Sequence, residues 1–254
     1  MDVRIEDKGD RLIVWNRSEK RGALSPEFYG AIREAIETAD ELRFRAVILT
    51  GAGSFFCAGG DLTILVERAK MSLDERRAKI EDLNAVIRSI RTSPVPVICA
   101  VEGGAAGAGL SIALACDLIT AAHGAKFVAA YVKAGLVPDG ALTSAMARTL
   151  PRQLAMEMCL LARPQTAQRL AELGVVNQVT EEGGALDAAF AVADQLSLGP
   201  RVAQGVIRGL VAQGYETTEE AQLLAEADAM SRAGGGEEAA EGIRAFLEKR
   251  KPQF

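Results

Sequence analysis

Apolar residues fall along this chain in two rhythms. Short unbroken runs occur at residues 11 to 16 (Arg11-Leu12-Ile13-Val14-Trp15-Asn16), at 45 to 50, at 95 to 101 and at 117 to 121. Runs of this length, rich in Val and Ile, predict strands. Between them the apolar positions recur every three or four residues. Ser25-Pro26-Glu27 opens one such segment with an N-cap, a first-turn proline and an acid at the positive helix end. Phe28, Ile32, Ala35, Ile36 and Ala39 then form its inner stripe. A charged stretch from about Glu67 to Arg91 predicts one long helix with Ile80, Leu83, Ile87 and Ile90 facing inward. Leu110 to Ala115 predicts a short buried helix.

Strands alternating with helices give an α/β domain. Beyond about residue 140 the pattern is almost wholly helical, broken by the apolar run Gly174-Val175-Val176 and punctuated by Gly199-Pro200 and Gly234-Gly235-Gly236. The expected division is a core over 1–195 and a helical region over 196–254. No internal repeat is visible.

Composition narrows the classes. The chain has 254 residues, 49% of them hydrophobic, and a formal net charge of −5. That provides a sizeable core, and without a basic cluster nucleic acid is not expected as a partner. Cys57, Cys99, Cys116 and Cys159 sit in apolar surroundings without paired spacing and read as reduced thiols of a cytoplasmic protein. The N-terminus, Met1 to Asp7, has no apolar signal region, and no apolar stretch of ~18 residues predicts a membrane span.

Two glycine-rich turns, each leaving a predicted strand, carry the candidate chemistry. The first is Phe55-Phe56-Cys57-Ala58-Gly59-Gly60-Asp61-Leu62, and the second is Gly103-Gly104-Ala105-Ala106-Gly107-Ala108-Gly109. Residues this small leave backbone N–H groups uncovered. Side by side, the turns would aim two N–H donors at one oxygen, as in an oxyanion hole. The bland alternative is close helix–strand packing. A dinucleotide-binding reading of Gly51-Ala52-Gly53 fails because Phe56 replaces the third glycine, no helix opens at once, and no acid follows at ribose distance.

The string Phe56-Cys57-Ala58-Gly59-Gly60-Asp61-Leu62, followed by Val101-Glu102-Gly103-Gly104-Ala105-Ala106-Gly107-Ala108-Gly109, resembles the crotonase (enoyl-CoA hydratase/isomerase) superfamily. The resemblance begins at Arg21-Gly22-Ala23-Leu24, passes through Ala115-Cys116-Asp117-Leu118 and ends at Gly242 to Pro252. It implies a spiral of ββα units with a helical C-terminal trimerisation region, assembled as homotrimers or as hexamers formed from paired trimers. It implies an acyl-CoA substrate and no metal, flavin or nicotinamide cofactor. The N–H groups of Gly60 and Ala108 fall on the oxyanion-hole positions. Ala108 stands where the family usually has glycine, and its methyl group leaves the N–H in place. Ala23, Ala58, Asp61 and Leu62 match the cradle for adenine and pantetheine, while Phe246 and Lys249 match residues that reach the CoA, often from a neighbouring subunit.

The same resemblance frames the reaction. Where the family's hydratases carry two glutamates, this chain has Ser111 and Tyr131. Water addition needs a base and an acid, so the two-glutamate mechanism is absent. One carboxylate remains, Asp139 in Pro138-Asp139-Gly140. The tripeptide by itself is a turn signature, but its place resembles the base of the superfamily's double-bond isomerases. Leu136 and Val137 beside it are expected to make the substrate pocket apolar and to raise the aspartate's pKa. Tyr131 would supply a hydrogen-bond donor or an aromatic wall, and Ser111 would orient a water or fill a packing position. Aspartate is also the nucleophile of the superfamily's chlorobenzoyl-CoA dehalogenase. That enzyme's water-activating histidine corresponds here to Asn84, and the sole histidine, His123, reads as a solvated turn residue. Glu102 is read as structural. The leading expectation is isomerisation of an enoyl-CoA double bond. The alternatives are enoyl-CoA hydration or oxepin-CoA-type hydrolysis, and acyl-CoA binding without catalysis.

Overall fold

The computed structural model describes residues 3–16, 20–40 and 43–254, so Met1 and Asp2 of the N-terminal reading lie outside it. Strands β1 (Val3–Asp7), β2 (Arg11–Asn16), β4 (Ala46–Gly51), β6 (Val97–Val101), β8 (Leu118–Ala122) and β11 (Gln178–Thr180) form the main sheet, in the order β1-β2-β4-β6-β8-β11. Only β1 runs antiparallel to its neighbour. Every residue of β4 and β6 is buried, as their continuous apolar sequence demands. Alternate side chains serve different layers. Ala46, Ile48, Ile98 and Ala100 pack on Ala185, Ala189 and Ala193 of helix α8 (Ala185–Ser197). Val47, Leu49, Val97, Cys99 and Val101 face the larger core under helices α1 (Pro26–Thr38) and α3 (Leu73–Arg91).

Two small sheets lie beside the main one: β3 (Ala23–Leu24) with β5 (Gly59–Gly60), and β7 (Gly104–Ala106) with β9 (Lys126–Val128) and β10 (Gln165–Thr166). Helices α4 (Ala108–Ala115), α5 (Leu142–Thr149), α6 (Arg152–Leu161) and α7 (Ala167–Glu172) cover the far end, and α9 (Arg201–Gln213), α10 (Glu219–Gly234) and α11 (Glu237–Leu247) close the chain. Among the described residues, no helix is long and apolar enough to cross a membrane.

Ser25 caps α1 as its sequence predicts, accepting from the Phe28 N–H. The charged stretch before the second glycine turn differs from expectation. It is two helices, α2 (Leu62–Ala69) and α3, separated at Lys70–Ser72. Ser72 and Glu75 form a reciprocal capping box that starts α3. Leu83, Ile87 and Ile90 are buried, but Ile80 is exposed because the first half of α3 overhangs the core. The apolar run at Gly174 to Val176 follows α7. The Val175 and Val176 N–H groups return to the Leu170 carbonyl near the end of α7, and hydrogen bonding to β8 starts at Asn177, whose N–H donates to the Ile119 carbonyl.

Arg208 fastens the C-terminal helices to the sheet. Its guanidinium donates to Asp117 and to the carbonyls of Ser93 and Ile90. Glu102 closes the other end: its two oxygens accept the N–H groups of Gly183 and Ala185 at the start of α8. That is the structural part read for it.

Candidate active site

The two glycine turns meet. The Cys57 N–H donates to the Gly104 carbonyl at 3.3 Å, and the Ala106 N–H donates to the Cys57 carbonyl at 2.9 Å. A Cβ on Gly59 would sit 2.7 Å from the Ala106 oxygen and 3.4 Å from the Ala108 nitrogen, and Gly59 has φ +86°. A Cβ on Gly109 would sit 2.5 Å from the Cys57 carbonyl oxygen. Contacts this short between main chains require the missing side chains. Gly60 follows in β5, and Ala108 is the first residue of α4. A first-turn N–H has no acceptor within its own helix and lies at the positive end of the dipole. The backbone stretches that hold Gly60 and Ala108 are thus in direct contact.

Asp139 is tied to the same helix, α4, through Ser111. It precedes Gly140, where φ is +59° and a Cβ would meet Leu83 at 2.9 Å and Ser111 at 3.0 Å. This crowding presses the turn against α3 and α4. Tyr131, in the 3-10 turn Ala130–Ala134, donates its hydroxyl to Asp139 Oδ1 at 2.7 Å. Ser111 Oγ lies 3.2 Å from the same hydroxyl and donates to the Asp139 carbonyl at 2.9 Å. The Tyr131 ring stands beside Gly107, 4.0 Å from where a Cβ would be. Residues separated by up to 28 positions thus form one hydrogen-bonded chain next to the glycine turns.

Burial pushes the Asp139 carboxyl above its ordinary range, while the Tyr131 hydrogen bond and the nearby Arg68 charge pull the other way. Burial and the Asp139 charge push the Tyr131 phenol up, so it stays a proton donor at neutral pH. Tyr131 is the one described side chain bonded to the carboxylate, which leaves Oδ2 without a side-chain partner.

The remaining candidates are distributed unevenly. Ala23 is buried and pairs with Gly59 of the first turn, and the N–H of Ala58, within that turn, donates to the Arg21 carbonyl. Asp61 has a structural task. Its side chain caps α2 through the Thr63 N–H and bonds Lys20 at 2.7 Å, which holds its pKa down at about 2. Leu62 is exposed at the start of α2. Leu136 and Val137, expected beside an apolar pocket, are open to solvent in the single chain, Val137 at 81%. Phe246 is exposed on α11 and Lys249 follows with φ +54°; among the described residues no hydrogen bond or ion pair ties either to the glycine turns. Arg250 grips Glu241 with two nitrogens just beyond, fixing that end of the chain. His123 is exposed in the turn between β8 and β9. Asn84 bonds only Glu81 among the described side chains.

Two groups escaped the sequence reading. Tyr29 on α1 and Arg68 on α2 are both half-buried and lie close enough to Asp139 to act on it or be acted on electrostatically. No motif marks either of them. The available signal is position: Tyr29 adjoins the buried Phe28 on α1, and Arg68 lies three residues after half-buried Leu65 on α2.

The family model for enoyl-CoA hydratase/isomerase matches residues 9–254. The chain is 35% identical to a 1,2-epoxyphenylacetyl-CoA isomerase of Escherichia coli, over 98% of this chain and 95% of that protein. It is 32% identical to a human mitochondrial methylglutaconyl-CoA hydratase, over 98% of this chain and 74% of the relative. Among solved structures, an enoyl-CoA hydratase from Polaromonas sp. JS666 superposes with a TM-score of 0.95 at 42% identity, over 99% of this chain and 98% of that one.

Proposed function

Since the chain belongs to the enoyl-CoA hydratase/isomerase family, within the crotonase superfamily, we propose that it moves a double bond along the acyl chain of a CoA thioester, with Asp139 as the only base and acid. The observation that carries this reading is a single carboxylate, raised by burial and held by one phenol, beside two contiguous glycine turns. Ser111 and Tyr131 offer no second carboxylate for activating water.

In this mechanism the Gly60 and Ala108 N–H groups receive the thioester oxygen. As Asp139 Oδ2 takes a proton from the α carbon of a 3-enoyl group, the charge moves onto that oxygen as a dienolate. The protonated carboxyl then returns the proton to the γ carbon, leaving a 2-enoyl thioester and the starting carboxylate. Losing either N–H donor would cost ~3 kcal/mol in the transition state. A raised pKa brings the carboxyl nearer to the value at which it both accepts and returns a proton efficiently. Tyr131 holds Oδ1 and thereby aims Oδ2. No metal or redox cofactor takes part in this scheme.

Self-association belongs to the same reading. Helices α9 and α10 have no fully buried residue, while Val202, Val211, Leu223, Leu224 and Met230 are largely exposed on them. A face of this kind fits the C-terminal contact between copies in a trimer or a pair of trimers. A neighbour docked there would bring Phe246 and Lys249 to the adenine end of the CoA.

The test is turnover of 3-enoyl- and 2-enoyl-CoA in ¹⁸O-labelled water. The expected result is interconversion without label, reduced about 10²- to 10⁴-fold in Asp139→Asn. Label in the product would mean hydration, the activity named for the human relative. Wild-type rates in Asp139→Asn would remove Asp139 from the chemistry, and absence of turnover despite tight CoA binding would indicate a binding protein.

A further inference from the structure

Burying an amide side chain costs free energy unless hydrogen bonds compensate it. Asn16 closes β2 and is only 2% exposed. Its amide faces two carbonyl oxygens: Nδ2 donates to Gly22 at 2.8 Å and to Phe56 at 3.2 Å. An NH2 group has two protons, one for each acceptor, where a hydroxyl has only one. Asn16 Oδ1 is buried and accepts no hydrogen bond among the described residues. The residue is therefore placed for what its nitrogen holds.

What the nitrogen holds is the first glycine turn. Phe56 is pinned on both sides. Its N–H donates to the Glu102 carbonyl at 2.8 Å, at the head of the second turn, and its own carbonyl accepts from Asn16. Gly22 belongs to the segment on which the rest of the first turn is built. The Ala58 N–H donates to the Arg21 carbonyl, and Gly59 and Gly60 pair with Ala23 and Leu24. A ladder of two residues is too short to fix its own direction. Asn16 ties the chain ahead of each of its strands, β3 and β5, to the end of β2. The fit is close: a Cβ on Gly22, where φ is +68°, would meet the Phe56 oxygen at 2.5 Å and Asn16 Nδ2 at 2.9 Å.

We propose that Asn16 is a positioning residue for the oxyanion hole. By clamping Gly22 and Phe56 it sets the β3–β5 pair and so aims the Gly60 N–H at the thioester oxygen, without touching the substrate. This rests on the oxyanion-hole part of the reading above and is independent of Asp139. Donors of this kind act only if they are held in place before the charge develops.

The experiment reads the carbonyl stretch of [1-¹³C]hexanoyl-CoA bound to the full-length protein by infrared difference spectroscopy. A saturated thioester has no double bond to move or hydrate, and N–H donors on its oxygen lower the stretching frequency. Asn16→Asp keeps the side-chain shape and, when ionised, has no donor. Asn16→Ser leaves one proton for two carbonyls and carries the test if the buried carboxylate prevents folding. Thr120→Val is the control: Thr120 is buried and its Oγ1 donates to the Ala185 carbonyl at 2.7 Å on the α8 side of the sheet, so it loses a buried hydrogen bond away from the turns. The downshift seen in the unaltered protein is expected to fall by about half in each Asn16 variant, as one of two donors is misdirected. With it, kcat for 3-hexenoyl-CoA should fall about 10²-fold while KM changes little. Thr120→Val should keep both. A full downshift in the Asn16 variants, or an equal loss in Thr120→Val, overturns the proposal. Absence of a downshift in the unaltered protein removes the oxyanion hole itself, and the role of Asn16 with it. A downshift that the Asn16 variants lose, in a protein that does not turn over 3-hexenoyl-CoA, upholds the proposal and rejects the double-bond shift.

Discussion

Around the glycine turns, β4 and β6 bury every residue and main chains touch where side chains are missing. On α9 and α10 no residue is fully buried, and leucines, valines and a methionine stand exposed. Both regions carry large apolar side chains, yet one covers them within the chain and the other does not. Arg208 joins them through three acceptors on the core side, so the outer helices are fixed in place without being covered. Apolar content alone therefore does not identify the core; the difference lies in whether the chain supplies a second surface. The candidate site is drawn from the completed region, where neighbours fix backbone positions closely.

The same substitution should act oppositely in the two regions. At Gly109 an alanine Cβ would meet the Cys57 carbonyl oxygen at 2.5 Å and the Cys57 Sγ at 2.7 Å. Gly109→Ala is expected to cost about 4 kcal/mol or more, seen as a Tm lower by ~10 °C or as loss of folded protein. At Gly209, inside α9, no atom lies within 4 Å of the added methyl. Gly209→Ala should raise stability by about 0.5–1 kcal/mol through helix propensity. A fall in Tm there would place a neighbouring copy against that face.

The uncovered face can also be charged. Leu224 on α10 is 64% exposed. Leu224→Glu should change the intrinsic stability of the chain by no more than about 0.5 kcal/mol and should shift sedimentation toward lighter species. An unchanged sedimentation coefficient would move the contact between copies elsewhere.

Legibility in the sequence follows the same division. The strands β4 and β6 were readable because burial on both faces demands a continuous apolar run. Ser25 and Pro26 announced α1 by local chemistry that tertiary structure did not alter. The break between α2 and α3 was written as Ser72-Leu73-Asp74-Glu75, a capping box masked by the surrounding charges. Strands β3 and β5 have two residues each and leave no period to detect. Asp139, Ser111 and Tyr131 could be singled out through the resemblance, but their shared hydrogen bonds come from packing, where Gly140 wedges between Leu83 and Ser111. Tyr29 and Arg68 were silent, since a half-buried phenol and guanidinium on amphipathic helices look like ordinary boundary residues until the helices are placed.

The smallest expected effect concerns the stability that the completed region gives up at Asp139. Its carboxyl lies above the ordinary value of 3.8 in the folded chain, with burial as the main cause. Below 3.8 the group is protonated both folded and unfolded, and the neutral form suits its surroundings. As pH rises, the unfolded chain releases this proton first, so the stabilising contribution is lost through the raised folded pKa. Asp139→Asn keeps an oxygen acceptor for Tyr131 and removes the charge. The Tm of the variant minus that of the unaltered protein should therefore be lowest under acid conditions. It should grow more positive as pH rises past 3.8 and level off above the folded pKa. A difference that falls with rising pH would mean that the Tyr131 hydrogen bond and the Arg68 charge outweigh burial. The carboxylate would then be stabilised as an anion, and the pKa advantage for proton return would be gone even with the hydrogen-bonded chain intact.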